Sequence, residues 1–197
     1  MKYSASKRDF YWKKAKEESY PSRAVFKLKE INDKYKLFKR GDKVLDLGSS
    51  PGSWLMYIAK EIGPKGKAVG LDIENLKIGI GENVLFFKKD VFKDEIFSCQ
   101  ALKDKFDSVV SDLAPKTSGI KFTDSEKSLE LSQKALEIAK AVLKEKGNFL
   151  CKIFEGEETQ NFLKEIKKNF EFIKKFRPKA TPRGSKEIYI IAKNFLS

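Results

Sequence analysis

Residues 43–54 read Lys43-Val44-Leu45-Asp46-Leu47-Gly48-Ser49-Ser50-Pro51-Gly52-Ser53-Trp54. The first five form a short apolar run that predicts a strand. Glycines at 48 and 52 permit a tight turn and a close backbone approach to a ligand. A helical pattern then predicts a helix over 53–62. A strand that passes through a glycine turn into a helix opens a ligand-binding α/β unit. The spacing departs from the dinucleotide fingerprint G-x-G-x-x-G, which disfavours a nicotinamide dehydrogenase, and there is no phosphate-cradling G-K-[ST]. Asp46 precedes the glycines, so the loop suits the amino group of a zwitterionic or cationic ligand better than a pyrophosphate.

Outward from this loop, strands are predicted at 68–71, 84–87, 108–110, 148–153 and 188–192. Helices are predicted at 8–18, 22–36, 124–145 and 157–169. Ser22 after Pro21 is a candidate N-cap, with Val25, Leu28 and Ile31 at helical spacing. Leu129, Leu136, Ala139 and Leu143 form one apolar stripe, and Gly147 is expected to close that helix. Strands apolar on both faces, alternating with helices, indicate a parallel sheet covered on both sides. The expected fold is α/β: a Rossmann-like, mostly parallel sheet of seven strands. One domain spans 1–197, with a basic helical extension over 1–40 and the core over 41–197.

Two further predicted strands end in acids. Gly70-Leu71-Asp72 places a carboxylate where it can accept both ribose hydroxyls of an adenosine. Lys88-Lys89-Asp90 places one where it can accept the adenine amino group. A single acid after a strand is ordinarily a cap or turn residue. Three in succession beside a Gly-Pro-Gly type loop suit an adenosyl ligand that carries positive charge, as S-adenosylmethionine does.

The 197 residues include two cysteines and no histidine. Ser-His-Asp and Cys-His chemistry and His-ligated metals are thereby excluded, and Cys99 and Cys151 read as small core residues. No apolar run approaches the ~20 residues of a membrane span, and the first residues lack the apolar core of a signal peptide. The expectation is a soluble, cytoplasmic monomer. The formal net charge is +13. Residues 1–40 carry 13 basic and 5 acidic side chains, residues 164–197 carry 10 and 3, and the middle is nearly balanced. A Lys- and Glu-rich surface explains the charge content but not this polarity, which suggests a polyanionic partner and favours nucleic acid. Phe10, Tyr11 and Trp12, interleaved with Lys7, Arg8, Lys13 and Lys14, either stack on splayed RNA bases or pack the extension onto the sheet, and packing is the favoured reading. Phe162, Ile166 and Phe170 read as core.

Five stretches together resemble the FtsJ/RrmJ family of ribose 2′-O-methyltransferases, over about Arg8 to Lys193. They are Ser22-Arg23-Ala24-Val25-Phe26-Lys27-Leu28, residues 46–54 as quoted, Ser111-Asp112-Leu113-Ala114-Pro115-Lys116-Thr117-Ser118-Gly119, Lys152-Ile153-Phe154-Glu155-Gly156 and Ser185-Lys186-Glu187-Ile188-Tyr189. The resemblance implies a catalytic tetrad of Lys27, Asp112, Lys152 and Glu187. It implies S-adenosylmethionine contacts at Gly52, Trp54, Asp72, Asp90 and Asp112, to which the reading of the loop adds Asp46 and Gly48. Trp54 is equally readable as helix packing. Ser53 stands where the family has a glycine and Lys116 where asparagine is common. The implied substrate is RNA: a uridine of large-subunit ribosomal RNA, with tRNA or a non-catalytic ribosome-assembly role as alternatives.

The chemistry agrees. Methyl transfer to a hydroxyl needs in-line placement and a base for the proton. Without histidine, a lysine base is reasonable, and no metal is called for. A sulfonium and Lys27 would favour the neutral amine of Lys152, while Asp112 and Glu187 would orient it.

Overall fold

Lys43–Leu47 forms β1, and the glycine loop behind it leads into α3 at Ser53–Ile62. Before β1 come α1 (Tyr3–Glu17) and α2 (Val25–Tyr35). After α3 the chain runs through β2 (Lys67–Asp72), β3 (Val84–Lys88), two short 3-10 turns, β4 (Phe106–Ser111), α4 (Lys121–Val142), β5 (Leu143–Phe154), α5 (Thr159–Lys167), β6 (Phe170–Phe176) and β7 (Glu187–Phe195). This computed structural model describes residues 3–116 and 118–196, so Thr117 of the third motif lies outside the described residues. The side chains of Lys7 and Arg8 lie outside them as well.

The seven strands form one sheet in the order β3-β2-β1-β4-β5-β7-β6. β7 runs antiparallel between β5 and β6, and the other pairings are parallel. The chain winds outward from β1 to β3, then returns to β4 beside β1 and winds the other way. The switch point thus lies between β1 and β4, where ligands bind in such sheets. α4, α5 and the 3-10 turns cover one face, with Leu136, Ala139, Phe149, Phe162 and Ile166 in the core. α1, α2 and α3 cover the other, where Val25, Leu28 and Ile31 are fully buried, as their spacing requires. Burying each such side chain stabilises by about 1.5–3 kcal/mol.

Several local expectations are corrected. α2 starts at Val25 and not at Ser22, whose hydroxyl instead accepts from the Ala24 amide (3.3 Å) and from the Ser53 hydroxyl (2.8 Å). Gly147 does not close α4. The helix stops at Val142, and Gly147 lies within β5 where the β4–β5 register slips between Phe106 and Ser108, next to a left-handed Lys146. β6 has no apolar run to announce it, because it is an edge strand whose side chains are mostly exposed. Phe170, at the end of the helical spacing of Phe162 and Ile166, is core as expected but begins β6.

Candidate active site

β1 ends in Asp46 and Leu47, and the loop behind it is held by its neighbours. The amides of Gly48 and Ser49 donate to the Leu71 carbonyl, and Lys77 N–H donates to Pro51 O. Gly48 and Gly52 both have positive φ, +78° and +112°. The positive φ at Gly52 favours glycine, and a Cβ there would lie 2.5 Å from Ile78 Cδ1 and have to displace that side chain.

Beneath this loop Asp46 is fully buried, and neither carboxylate oxygen has a hydrogen-bond partner among the described residues. The Ser49 hydroxyl is likewise buried without one. Burial, and then the carboxylates of Asp112 and Asp72, push the Asp46 carboxyl well above its ordinary range. Such a group needs either a proton or a cationic ligand beside it. One strand over, Asp72 Oδ2 accepts from the Ser50 amide and Oδ1 from the Glu74 amide, both at 2.8 Å. Those bonds fix the carboxylate and leave each oxygen a free lone pair. Asp90 is held similarly, through Phe92 N–H at 3.0 Å.

The tetrad residues come from four elements and meet in two ion pairs. Lys27 on α2 lies 2.6 Å from Glu187 Oε1 at the start of β7. Lys152 on β5 lies 2.9 Å from Asp112 Oδ1 and donates to the Asp112 carbonyl at 2.6 Å. The β5–β7 register sets Lys152 opposite Tyr189 and Phe154 opposite Glu187. With a side-chain period of two, Lys152, Tyr189 and Glu187 therefore share one face. Burial pushes the Asp112 carboxyl up, but Lys152, Lys27 and hydrogen bonds from Lys152 and Tyr189 outweigh it and hold it below its usual value.

Tyr189 links the two pairs, and the sequence alone assigns it no role. It is fully buried, donates its hydroxyl to Asp112 Oδ1 at 2.7 Å, and lies with its ring 5.9 Å from Lys27 Nζ. Burial, then Asp112 and Glu187, push its phenol well up, so it stays a proton donor. Its sequence signal is its place at the end of the Ser185–Tyr189 stretch, two residues beyond Glu187 on a strand. Trp54 forms part of the cleft wall with Ser22, Gly48, Ser49 and Asp112. Its indole N–H donates to Ala24 O at 2.9 Å and its ring packs on Tyr189, which ties α2 to α3. Ser53, in the family's glycine position, bonds Ser22 and closes the same seam. That cleft is narrow, about 10 Å³. A wider cavity of about 380 Å³ lies between α4, the end of β5 and α5, and none of the tetrad lines it.

The FtsJ-like methyltransferase profile matches residues 20–195, a span that includes every residue of this constellation. The chain belongs to that family. It is 43% identical over 190 residues, 95% of each chain, to "Ribosomal RNA large subunit methyltransferase E" of Lawsonia intracellularis. It is 41% identical to the protein of the same name in Bdellovibrio bacteriovorus, over 93% of this chain and 95% of that one. Among solved structures, a chain described as a ribosomal RNA methyltransferase of Plasmodium falciparum superposes with a TM-score of 0.80 at 29% identity, covering 90% of this chain and all of that one. The fibrillarin/Nop5p complex contains the same fold at a TM-score of 0.58 and 21% identity.

As an FtsJ-like methyltransferase the chain takes its methyl group from S-adenosylmethionine. The residues present fit that group. The orphaned oxygens of Asp46 and Ser49 lie beneath the glycine loop, where an amino group would satisfy them, and Asp72 keeps lone pairs for a ribose.

Proposed function

We propose that this enzyme methylates a ribose 2′-hydroxyl of large-subunit ribosomal RNA, a uridine being the target. The observation that carries the reading is the meeting of Lys27, Asp112, Lys152 and Glu187 beside the glycine loop, through ion pairs of 2.6 and 2.9 Å. The names of its relatives support the RNA, and the basic ends supply a surface for phosphates.

Each residue then has a role. Gly48, Gly52, Asp46 and Asp72 hold the cofactor, Asp90 its adenine, and Trp54 backs the cleft. Bound S-adenosylmethionine supplies the electrophilic methyl. Lys152, only 7% exposed along its side chain, is fixed by both oxygens of Asp112 that face it and takes the hydroxyl proton as its neutral amine. Lys27 and Glu187 orient the ribose, and Tyr189 fixes Asp112. The reading calls for no divalent ion, since a lysine receives the proton. It describes one cytoplasmic, monomeric unit over 1–197, with 1–40 as its basic extension. No described helix is long and apolar enough to cross a membrane.

The test is to map 2′-O-methylation on total RNA from cells with and without the protein. Loss of one ribose methyl in large-subunit RNA is expected. An unchanged ribosomal map with a lost tRNA methyl would replace the substrate, and unchanged maps throughout would end the reading.

A further inference from the structure

The N-terminal helix resolves its three aromatics in different ways. Tyr11 packs inward, its ring 5.5 Å from that of Phe26, the residue before Lys27. Ala15, one turn on, is buried in the same cluster. Phe10 is set edge-on to Tyr11 at 5.3 Å. Trp12 is different. Like Phe10 it is exposed, at 54% against 58%, but its ring touches no other aromatic among the described residues, and Lys16 Nζ lies 4.3 Å from its centroid. Lys13, beside it, is exposed as well.

An indole left half in water loses the benefit of burying one of the largest apolar side chains. Packing therefore explains Tyr11 and leaves Trp12 unexplained. Lys13 and Lys16 lie within four positions of it and Asp9 three positions before it, Lys14 is turned toward Phe26 and Glu18, and residues 1–40 carry a net +8. A planar aromatic flanked by lysines matches one class of ligand best. An unpaired nucleobase stacks on the ring while its phosphates meet the ammonium groups. A helical or sheet partner would cover the apolar face but leave these lysines facing protein, and a duplex offers no free base face.

We propose that Trp12 is a stacking platform for an unpaired base of the RNA substrate, carried on a helix that the packing of Tyr11 and Ala15 against the Phe26 cluster ties to α2. The inference rests on the RNA reading above. It adds that the RNA bound along this helix is single-stranded.

Binding of a single-stranded oligoribonucleotide and of a duplex of the same sequence is measured by titration, following tryptophan fluorescence. The wild type should show quenching by the single strand that Trp12→Ala lacks. Trp12→Ala should weaken single-strand binding roughly 5- to 100-fold, the range for loss of one base–aromatic stack. Trp12→Phe should restore most of that affinity and Trp12→Leu should not, which separates stacking from apolar bulk. Duplex binding and cofactor affinity should be unchanged in all three. The salt slope should be retained in Trp12→Ala but fall by about 0.7 for each phosphate left unneutralised in Lys13→Gln or Lys16→Gln. Equal binding by folded Trp12→Ala, or full rescue by leucine, overturns the platform while leaving the RNA reading intact. A wild type that binds no RNA at any salt concentration overturns both. A wild-type dimer that Trp12→Ala converts to monomer overturns the platform too, showing that a second copy covers the ring.

Discussion

Asp46 combines two properties that oppose each other in the cofactor-free protein: complete burial and a carboxylate without a partner. Its folded-state value is raised above the ordinary 3.8, so its contribution to stability is fully present below that value and is lost as pH rises through the raised one. Asp46→Asn removes this dependence. The cofactor-free variant should therefore gain on the wild type as pH increases, reaching about 1–3 kcal/mol on the alkaline side. Thermal unfolding across pH checks this, and a difference that does not vary with pH would refute it. The same variant should bind S-adenosylmethionine more weakly by calorimetry. Lys152 is tested by exchange of its head group. Lys152→Ala should lower the single-turnover rate at least ~100-fold with cofactor affinity nearly unchanged. Lys152→Arg should fare no better, because a guanidinium does not deprotonate at usable pH. An arginine variant close to wild type would make this lysine a positioning charge.

At the scale of elements, the site depends on how the β1–α3 turn is held. Gly52 serves as the N-cap of α3 at φ +112°, under the side chain of Ile78 from the segment after β2. Gly52→Ala brings both backbone strain and a steric clash, and should cost about 1–3 kcal/mol. It should also weaken cofactor binding, since the loop and Asp72 are joined through the Ser50 amide. Ile78→Ala in the same chain should recover the steric part and leave the backbone part. Chemical denaturation of the single and double variants measures both; a single variant as stable as wild type would show that the loop adapts. The loop behind β4 is held from the opposite side. Asp124 on α4 accepts from Ser118 N–H and Oγ and from Gly119 N–H, at 2.8, 2.9 and 3.2 Å. Those bonds, the first of them foremost, hold its carboxyl below the usual value, against a smaller effect of burial.

In the whole molecule parts of the two basic ends meet. α2 and the β6–β7 region meet: Lys193 Nζ donates to Tyr35 O at 2.9 Å, Lys179 N–H donates to Glu30 at 2.7 Å, and Lys34 lies 4.8 Å above the Phe176 ring. Tyr35 packs against Phe172 and Phe176, with exposed Lys174 between them on β6. Lys27 lies about two turns before Lys34 on the same helix. RNA affinity should accordingly fall steeply with salt. Exchanging Lys34, Lys174 and Lys179 for glutamine should reduce the log–log slope by up to about 2, at ~0.7 per neutralised phosphate on a single strand. An unchanged slope would place the phosphates elsewhere.

The sequence by itself determined the strand–glycine loop–helix unit, six of the seven strands, the three acids at strand ends and the charge polarity. These are local: period, composition and turn residues act over a few positions. The tetrad was legible only as separate motifs, and what brings it together is non-local. Antiparallel pairing of β5 with β7 sets Lys152 and Tyr189 opposite each other, 37 residues apart in sequence, and gives Tyr189 its bond to Asp112. β6 and the end of α4 escaped because an exposed edge strand and a register slip follow from pairing partners, which local periodicity does not encode. Trp54 and Trp12 look alike as aromatic residues in a sequence. Tertiary packing buries the first between α2 and Tyr189 and leaves the second in solvent, because only the first lies where two elements close on each other.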